Sequence, residues 1–385
     1  MASVYLDYMA STPLAEEALQ AMLPCMQAHT PLGNPSSNAY GVKSQVPIAL
    51  AAQQVASSIG ATPDSIIWTS GATEANNLAI KGAAQFYHRQ GKHIVTMACE
   101  HKAVLGPCQI LERLGYEVSY LSPDARGLLD LELLKRTLRK DTVLVSVMHV
   151  NNETGIIQDI SAISKCVKAV GALLHVDAAQ SIGKIPVDVS SMGVDLMTLS
   201  AHKAYGPSGV GALYISQKPR LHLVPQMHGG EQQLGLRSGT LPVHQIVGMG
   251  AGFASALKDY QQDYERIALL RDHVWHALQS IGGVTLNGHL DHQVPHCLNV
   301  SFQGVHMDAL LLDLRHFVVS TGSSCNAALN EPSHVLRSMG IDDVSARQSL
   351  RISFGKYTQQ DECQLFIDQC AASVQRLRQL SPVAL

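Results

Sequence analysis

Lys203 stands in "DLMTLSAHKAYGPSGVGALYI", where an apolar run ends in Ser200, Ala201 and His202 and gives way to a Gly- and Pro-rich loop. An amine at such a strand end can be depressed in pKa and act as a nucleophile toward a carbonyl. Any single lysine, taken alone, is more often a solvated surface residue. Asp177 closes the apolar run of "LLHVDAAQS", and a carboxylate is costly to bury there unless something cationic meets it. "WTSGATEANN" passes from an apolar run into a helix start, which offers free backbone N–H groups and the Thr73 hydroxyl to a phosphate; alone it is an ordinary helix cap. "ACEHKAVLG" adds His101, an imidazole able to stack on a ring and assist proton transfer, and "MHVNNETG" adds Asn151 and Asn152. A Schiff-base lysine, a carboxylate for a pyridinium nitrogen and a helix N-terminus for a phosphate are together what pyridoxal phosphate requires. The combination is far more specific than any of its parts.

A second signal lies in "STGSSCNAALNEPSHVL", Ser320 to Leu336. Cys325 sits there among Ser, Thr, Gly, Asn and Ala, with almost nothing apolar until Leu329. A structural cysteine behaves as a small hydrophobe in a core, whereas a reactive one needs access and polar neighbours. The other seven cysteines (Cys25, Cys99, Cys108, Cys166, Cys297, Cys363, Cys370) form no CxxC pair, which argues against a disulfide framework and a zinc ribbon and predicts free thiols. The 18 histidines show no HExxH pattern, so no resident metal is expected.

The elements that must position these residues are legible as alternation. Short apolar runs, "SIIWTS", "HIVTMA", "EVSYL", "TVLVSVMHV", "ALLHVD", "DLMTLS" and "GALYIS", are separated by longer helix-like stretches. Strands apolar on both faces, alternating with helices, predict an α/β fold with a mostly parallel sheet covered by helices, and polar residues at the carboxyl ends of such strands are where ligands bind. "EANNLAIKGAAQFYHRQG" predicts a helix ending at a Gly, and "SAISKCVKAVG" one capped by its Ser. Further on, "GFASALKDYQQDYERIALLRDHVWHALQSIG" predicts one long helix ahead of strand-like "CLNVSFQG" and "SLRISFG". Residues 13–260 are assigned to a large cofactor-binding domain, and 1–12 with 261–385 to a smaller α+β domain carrying the cysteine loop at about 320–336. With 385 residues, 46% hydrophobic, a net charge of -3 and a pI near 6.6, the chain has no basic stripe for a nucleic-acid duplex. No run is apolar enough to cross a membrane and the N-terminus lacks a leader pattern, so a cytoplasmic location is expected.

Almost the whole chain, from "VYLDYMASTP" to "RLRQLSP", resembles the cysteine desulfurases of the NifS/IscS group, which are fold-type I pyridoxal phosphate enzymes. "TSGATEANNLAIKG", "EHKAVL", "MHVNNETG", "HVDAAQSIGKIPVD", "SAHKAYGPSGVGALY" and "RSGTLPVHQIVGMG" carry the resemblance. It implies a seven-stranded sheet in the large domain, Lys203 joined to the cofactor, Asp177 on the pyridine nitrogen, Gln180 on the phenolic oxygen and His101 stacked on the ring. It implies Ala72, Thr73, Ser200 and His202 around the phosphate, completed by Thr240 from the second subunit of a homodimer. Asn152 and Arg351 would grip L-cysteine, the alternative for Arg351 being a structural ion pair. Cys325 would be the nucleophile that takes the substrate sulfur and carries it to an acceptor such as an iron–sulfur scaffold protein, and is also a candidate transient iron–sulfur ligand. The loop length resembles the IscS type rather than the SufS type.

Two departures stand out. "GGEQQLGLRSGT" places Glu231, Gln233 and Leu234 where the group commonly has a Gly, a Glu and an Arg. The resemblance also ends at "LSPVAL", short of the further helix that in IscS-like proteins helps dock the scaffold, which leaves the acceptor open. The competing functions are a selenocysteine lyase or another fold-type I lyase or aminotransferase, which would need no loop cysteine, and a catalytically silent sulfur-carrier subunit, which would need no Lys203, His101 or Cys325.

Overall fold

Seven apolar runs become the seven strands of one sheet. The computed structural model describes residues 3–27, 39–321 and 331–380. Its strands are β1 (Val4–Tyr5), β2 (Ile66–Thr69), β3 (His93–Met97), β4 (Glu117–Leu121), β5 (Thr142–Met148), β6 (Leu173–Asp177), β7 (Leu196–Ser200), β8 (Gly211–Ile215), β9 (Val284–Leu286), β10 (Cys297–Phe302), β11 (Phe317–Val318) and β12 (Ser349–Ser353). The large sheet has the order β2-β8-β7-β6-β5-β3-β4. Strands β3 to β7 run parallel, and β8 runs antiparallel to both β7 and β2. Successive side chains point to opposite faces of a strand. Accordingly Val95, Met97, Met197, Leu199, Ala212 and Tyr214 enter one core cluster, while Ile94, Leu196, Leu213 and Ile215 enter another. Both faces are covered, which is why these strands read as continuous apolar runs.

A third cluster surrounds the antiparallel sheet β12-β10-β9, where Phe302, Leu350, Ile352 and Phe354 pack against Ile267, Val274 and Leu278 of helix Tyr260–Ser280 and Phe366 and Val374 of helix Gln360–Leu380. Val335, Leu336, Met339 and Ala346 nevertheless pack in the large-sheet core, and Leu6 packs in the smaller one. The N-terminal segment is the bridge. β1 pairs in parallel with β11, Ser353 N donates to the Leu6 carbonyl, and Thr12 N donates to the carbonyl of His202. This threads residues 4–12 from the small sheet past the ends of β6 and β7.

Three helix expectations change. Helix Ala72–Phe86 ends with Tyr87 as its C-cap, ahead of Gly91, the Gly expected to end it. The long helix is two, Val243–Lys258 and Tyr260–Ser280, because Asp259 (φ -116°, ψ 23°) leaves the helical region between them. The first packs on helix Ala39–Ser57 and the second on the small sheet, so the break lets one apolar stretch serve two cores. Helix Ile160–Ala169 is capped by Asp159, whose carboxylate accepts from Ala162 N, rather than by the Ser of "SAISK"; a carboxylate both satisfies the free N–H and complements the helix dipole. Among the described residues no helix is long and apolar enough to cross a membrane.

Candidate active site

Lys203 closes a single helical turn, Ala201–Lys203, immediately after β7, and its Nζ donates to the carbonyls of Met9 (2.8 Å) and Ala10 (2.7 Å). Gln180 Nε2 donates to the same Met9 carbonyl at 2.7 Å. Asp177, 3% exposed at the end of β6, accepts from Asn76 Nδ2 at 2.7 Å and from Ala179 N at 3.0 Å. Asn76 belongs to helix Ala72–Phe86, so the helix that opens toward the site also holds its carboxylate. His101 caps helix Lys102–Arg113, its Nδ1 accepting from Ala103 N at 3.1 Å. The neutral ring therefore carries its proton on Nε2. Burial pushes the His101 pKa below its ordinary value, Asp177 opposing and Lys203 and His334 adding to the shift. His202 Nδ1 lies 3.2 Å from Ser11 Oγ, and burial, with Lys203, takes its pKa down to about 4. Both imidazoles are neutral at pH 7.

At the start of helix Ala72–Phe86, Gly71 is the N-cap and supplies no side-chain cap. Thr73 does not cap it either: it is exposed, and its carbonyl accepts from Asn77 Nδ2. A Cβ built on Gly71 (φ 145°) would meet nothing within 4 Å, whereas one on Gly211 would lie 2.7 Å from Gly71 Cα. The glycine at 211 thus lets the helix start sit against β8, with open space on the Cβ side of Gly71. Ser200 is buried at the end of β7, opposite Gly211. Arg237 pairs with Glu74 at 2.8 Å, and Glu74 in turn accepts from Ser70 N. The substituted loop is held to β2 by Gln233, whose Oε1 accepts from Trp68 N at 2.8 Å, while Leu234 is 70% exposed at φ 59°. Thr240 is exposed.

On the other side, Arg351 in β12 donates from Nη1 to the Asn152 carbonyl and from Nη2 to Asp7, each at 2.7 Å. The ion pair weighed as the alternative for Arg351 is therefore present. Burial raises the Asp7 pKa, with Arg351 and Lys203 opposing. Cys325 lies outside the described residues. The described chain on either side of it is fixed beside Arg351 and Asn152: the backbones of Ser320 and Arg351 bond each other, and Ser333 Oγ donates to Glu153 Oε2 at 2.5 Å. His334 Nε2 lies 2.9 Å from the Glu100 carbonyl. Burial pushes the Glu153 pKa up to about 7 and that of Glu100 far above the carboxylate range.

Asp7, Met9, Asn76, Glu100 and Glu153 went unnoticed in the sequence. Glu100 and Glu153 had a signal, an acid directly beside His101 and Asn152. Asp7 stands in "VYLDYMAS", an acid between apolar residues. Met9 acts through its carbonyl, which no side chain announces.

Gln180 Oε1, Asn152 Oδ1 and Asn76 Oδ1 are buried without a partner among the described residues. Buried polar atoms are nearly always bonded, so these three, beside Lys203, Arg351 and Asp177, fit a polar guest. An amine, a carboxylate, a neutral imidazole and an open helix start suit pyridoxal phosphate. Residues 4–366 match the family described as class-V aminotransferases. The chain is 50% identical over 382 residues to the cysteine desulfurase IscS of Vibrio atlanticus, covering 99% of this chain and 95% of that protein. It is 48% identical to the cysteine desulfurase IscS of Escherichia coli K12, with the same coverage. Among solved structures, one described as a NifS-like protein superposes with a TM-score of 0.90 at 34% identity, covering 97% of this chain and all (100%) of that one. Another, described as SspA in complex with cysteine, gives 0.82 at 37% identity, covering 93% and 100%. The chain belongs to the class-V aminotransferase family of pyridoxal phosphate enzymes, in the group of its cysteine desulfurases.

Proposed function

We propose that this chain is a cysteine desulfurase, which converts L-cysteine to L-alanine and takes the sulfur onto Cys325 as a persulfide. The single observation that carries this function is the convergence of Lys203, Gln180, Asp177 and His101 beyond the ends of β3, β6 and β7, with Arg351 of β12 joined to them through residues 7–9 and the chain on both sides of Cys325 anchored beside it. Pyridoxal phosphate, when bound, supplies an electron sink beside the substrate α-carbon. Lys203 would hold it and move the α-proton as a free amine. Asp177, oriented by Asn76, would keep a proton on the pyridine nitrogen, and Gln180 would bond the phenolic oxygen. His101 would lie against the ring as a neutral imidazole. Ala72 and Thr73 at the helix start, Ser200 and His202 would bind the phosphate, joined by Thr240 from a second copy. Arg351 and Asn152 would orient the cysteine carboxylate, a planar match for a guanidinium. The Cys325 thiolate would then attack the substrate sulfur. The S–S bond forms as the C–S bond breaks, and the carbon keeps the electron pair and gains a proton, leaving alanine.

Assembly as a homodimer is supported by exposed apolar side chains on the N-terminal helices, at Leu19, Leu23, Met26, Val46 and Leu50. Free, mostly buried thiols suit a cytoplasmic location. An iron–sulfur scaffold protein is the proposed sulfur acceptor. The test is to give L-cysteine to the purified protein and follow alanine, sulfide released by a reductant, and mass added to the Cys325 peptide. Cys325→Ser should retain the cofactor's visible band and lose alanine formation by several orders of magnitude. Alanine release by that variant at the parental rate would mark Cys325 as a spectator and make the enzyme a lyase of another kind.

A further inference from the structure

Lys184 is a buried lysine that none of the roles above uses. It follows β6 in "AAQSIGKIPVD", is 3% exposed, and its Nζ donates to the backbone carbonyl of Lys203 at 3.0 Å. The turn that aims it inward has Lys184 N bonded to the Ser181 carbonyl and Gly183 at φ +74°, where a Cβ would lie 2.9 Å from Ala256 Cβ. Lys184 and Lys203 line one small cavity together with Tyr8, Thr12, Tyr205 and His296. His296 Nδ1 is buried there without a partner among the described residues. The titratable groups acting on Lys184 are Lys203 and the Cys297 thiol, and Lys184 acts in turn on His202 and His296, the latter also facing Arg266 and Arg271. From helix Tyr260–Ser280, Tyr260 meets the Lys184 carbonyl through its hydroxyl. Burial, with Lys203 adding, takes the Lys184 pKa down to about 7.

We propose that Lys184 is a positioning residue for the reaction, a second amine behind Lys203 that, while it is protonated, favours the unprotonated form of the Lys203 nitrogen. Two amines in one low-dielectric cavity disfavour being charged together, and their titrations belong to the pair. A neighbouring cation is a recognised way to make a lysine nucleophilic at neutral pH. Lys184 does this from behind Lys203, its side chain bonded, among the described residues, to the Lys203 backbone.

The proposal rests on Lys203 carrying the cofactor, and its test reads two signals. In the holoprotein, the visible band changes as the Lys203 nitrogen loses its proton, and the midpoint pH of that change is measured in the parent, Lys184→Gln, Lys184→Met and Lys184→Arg. Gln keeps a donor for the Lys203 carbonyl but no charge, Met removes both, and Arg keeps both. The Gln and Met midpoints should rise by about one pH unit while Arg stays at the parental value. A Gln midpoint equal to the parent's, with or without a shift in Met, overturns the proposal and leaves Lys184 a prop for the backbone. In the full chain freed of cofactor, the rate of Lys203 acetylation by acetic anhydride at and below about pH 7, where Lys184 is charged, should fall in the Gln variant when read by mass spectrometry, and an unchanged rate there likewise overturns it. A parent protein with no cofactor on Lys203 would instead defeat the proposed role of Lys203, while the acetylation rate still decides that of Lys184.

Discussion

The two ends of β6 and β7 carry buried acids in opposite circumstances. At the amino end, Asp195 accepts from Leu174 N at 2.7 Å and pairs with Lys168, which has its own access to solvent. Along the same edge, the ring nitrogens of His93 lie 2.7 Å from Thr142 Oγ1 and 2.9 Å from Ser119 Oγ, and Arg139 joins Glu117 and Asp141. Each of these groups has the partners it needs. At the carboxyl end, Asp177 is held by an amide and a backbone N–H, and Asn76, Glu100, Asn152, Gln180 and Arg351 each keep a buried atom without a partner among the described residues. Comparable burial thus means different things. Satisfied polar groups fix strand register, whereas unsatisfied ones, with Lys184, His202 and Glu153 pushed from their ordinary pKa values, mark where the fold holds groups ready for something else.

Substitutions at the two ends should separate these roles. Asp177→Asn keeps the shape and removes the charge. Turnover of cysteine should fall by about three orders of magnitude while the thermal midpoint changes little, since neither partner of Asp177 is a cation. Full activity in that variant would erase the contrast. Asp195→Ala should do the reverse. It strands the buried Leu174 N–H and costs about 1–3 kcal/mol in denaturant unfolding, and turnover per folded molecule should match the parent. A drop in specific activity would show that the amino end also serves catalysis.

Glu153→Gln gives a smaller, pH-dependent effect. With a folded pKa of about 7 against an ordinary 4.5, Glu153 favours the folded state most in its protonated form. That contribution is complete below about 4.5 and is lost as pH rises through about 7. The Gln variant should melt like the parent at pH 4 and at a higher temperature at pH 8; melting curves that keep the same separation at both pH values would contradict the sign. Glu100→Gln is the smallest change. Burial pushes its pKa well up, which favours the neutral acid, and Met148 N donates to it. Stability at neutral pH should stay within about 0.5 kcal/mol of the parent, and a large loss would mean that Glu100 is ionised.

Much of this site was legible because its residues follow apolar runs. Asp177 closes a strand, and Lys203 and His101 follow theirs by a short turn; the two buried faces of each strand force a continuous apolar pattern, so chemistry and position were written together. Gln180, Asn152 and Arg351 needed the family resemblance, since a Gln, an Asn and an Arg near a strand are common. Asp7 and Met9 escaped because they lie 196 and 194 positions from Lys203 in sequence and carry no local period. The single long helix failed at Asp259 for a related reason: an amphipathic pattern shows that a face is buried, not which core buries it.

The sequence by itself determined the seven strands, the helices between them and the residue types that leave each strand end, because backbone period and side-chain hydrophobicity are local properties. Tertiary structure alone decided which of those ends meet. The threading of residues 4–12 brings the Met9 carbonyl between Lys203 and Gln180, sets Asp7 on Arg351, and leaves Lys184 behind Lys203 in a shared cavity. Such encounters depend on packing two cores against one segment, and desolvation and like-charge repulsion arise only once the groups share a space that excludes water.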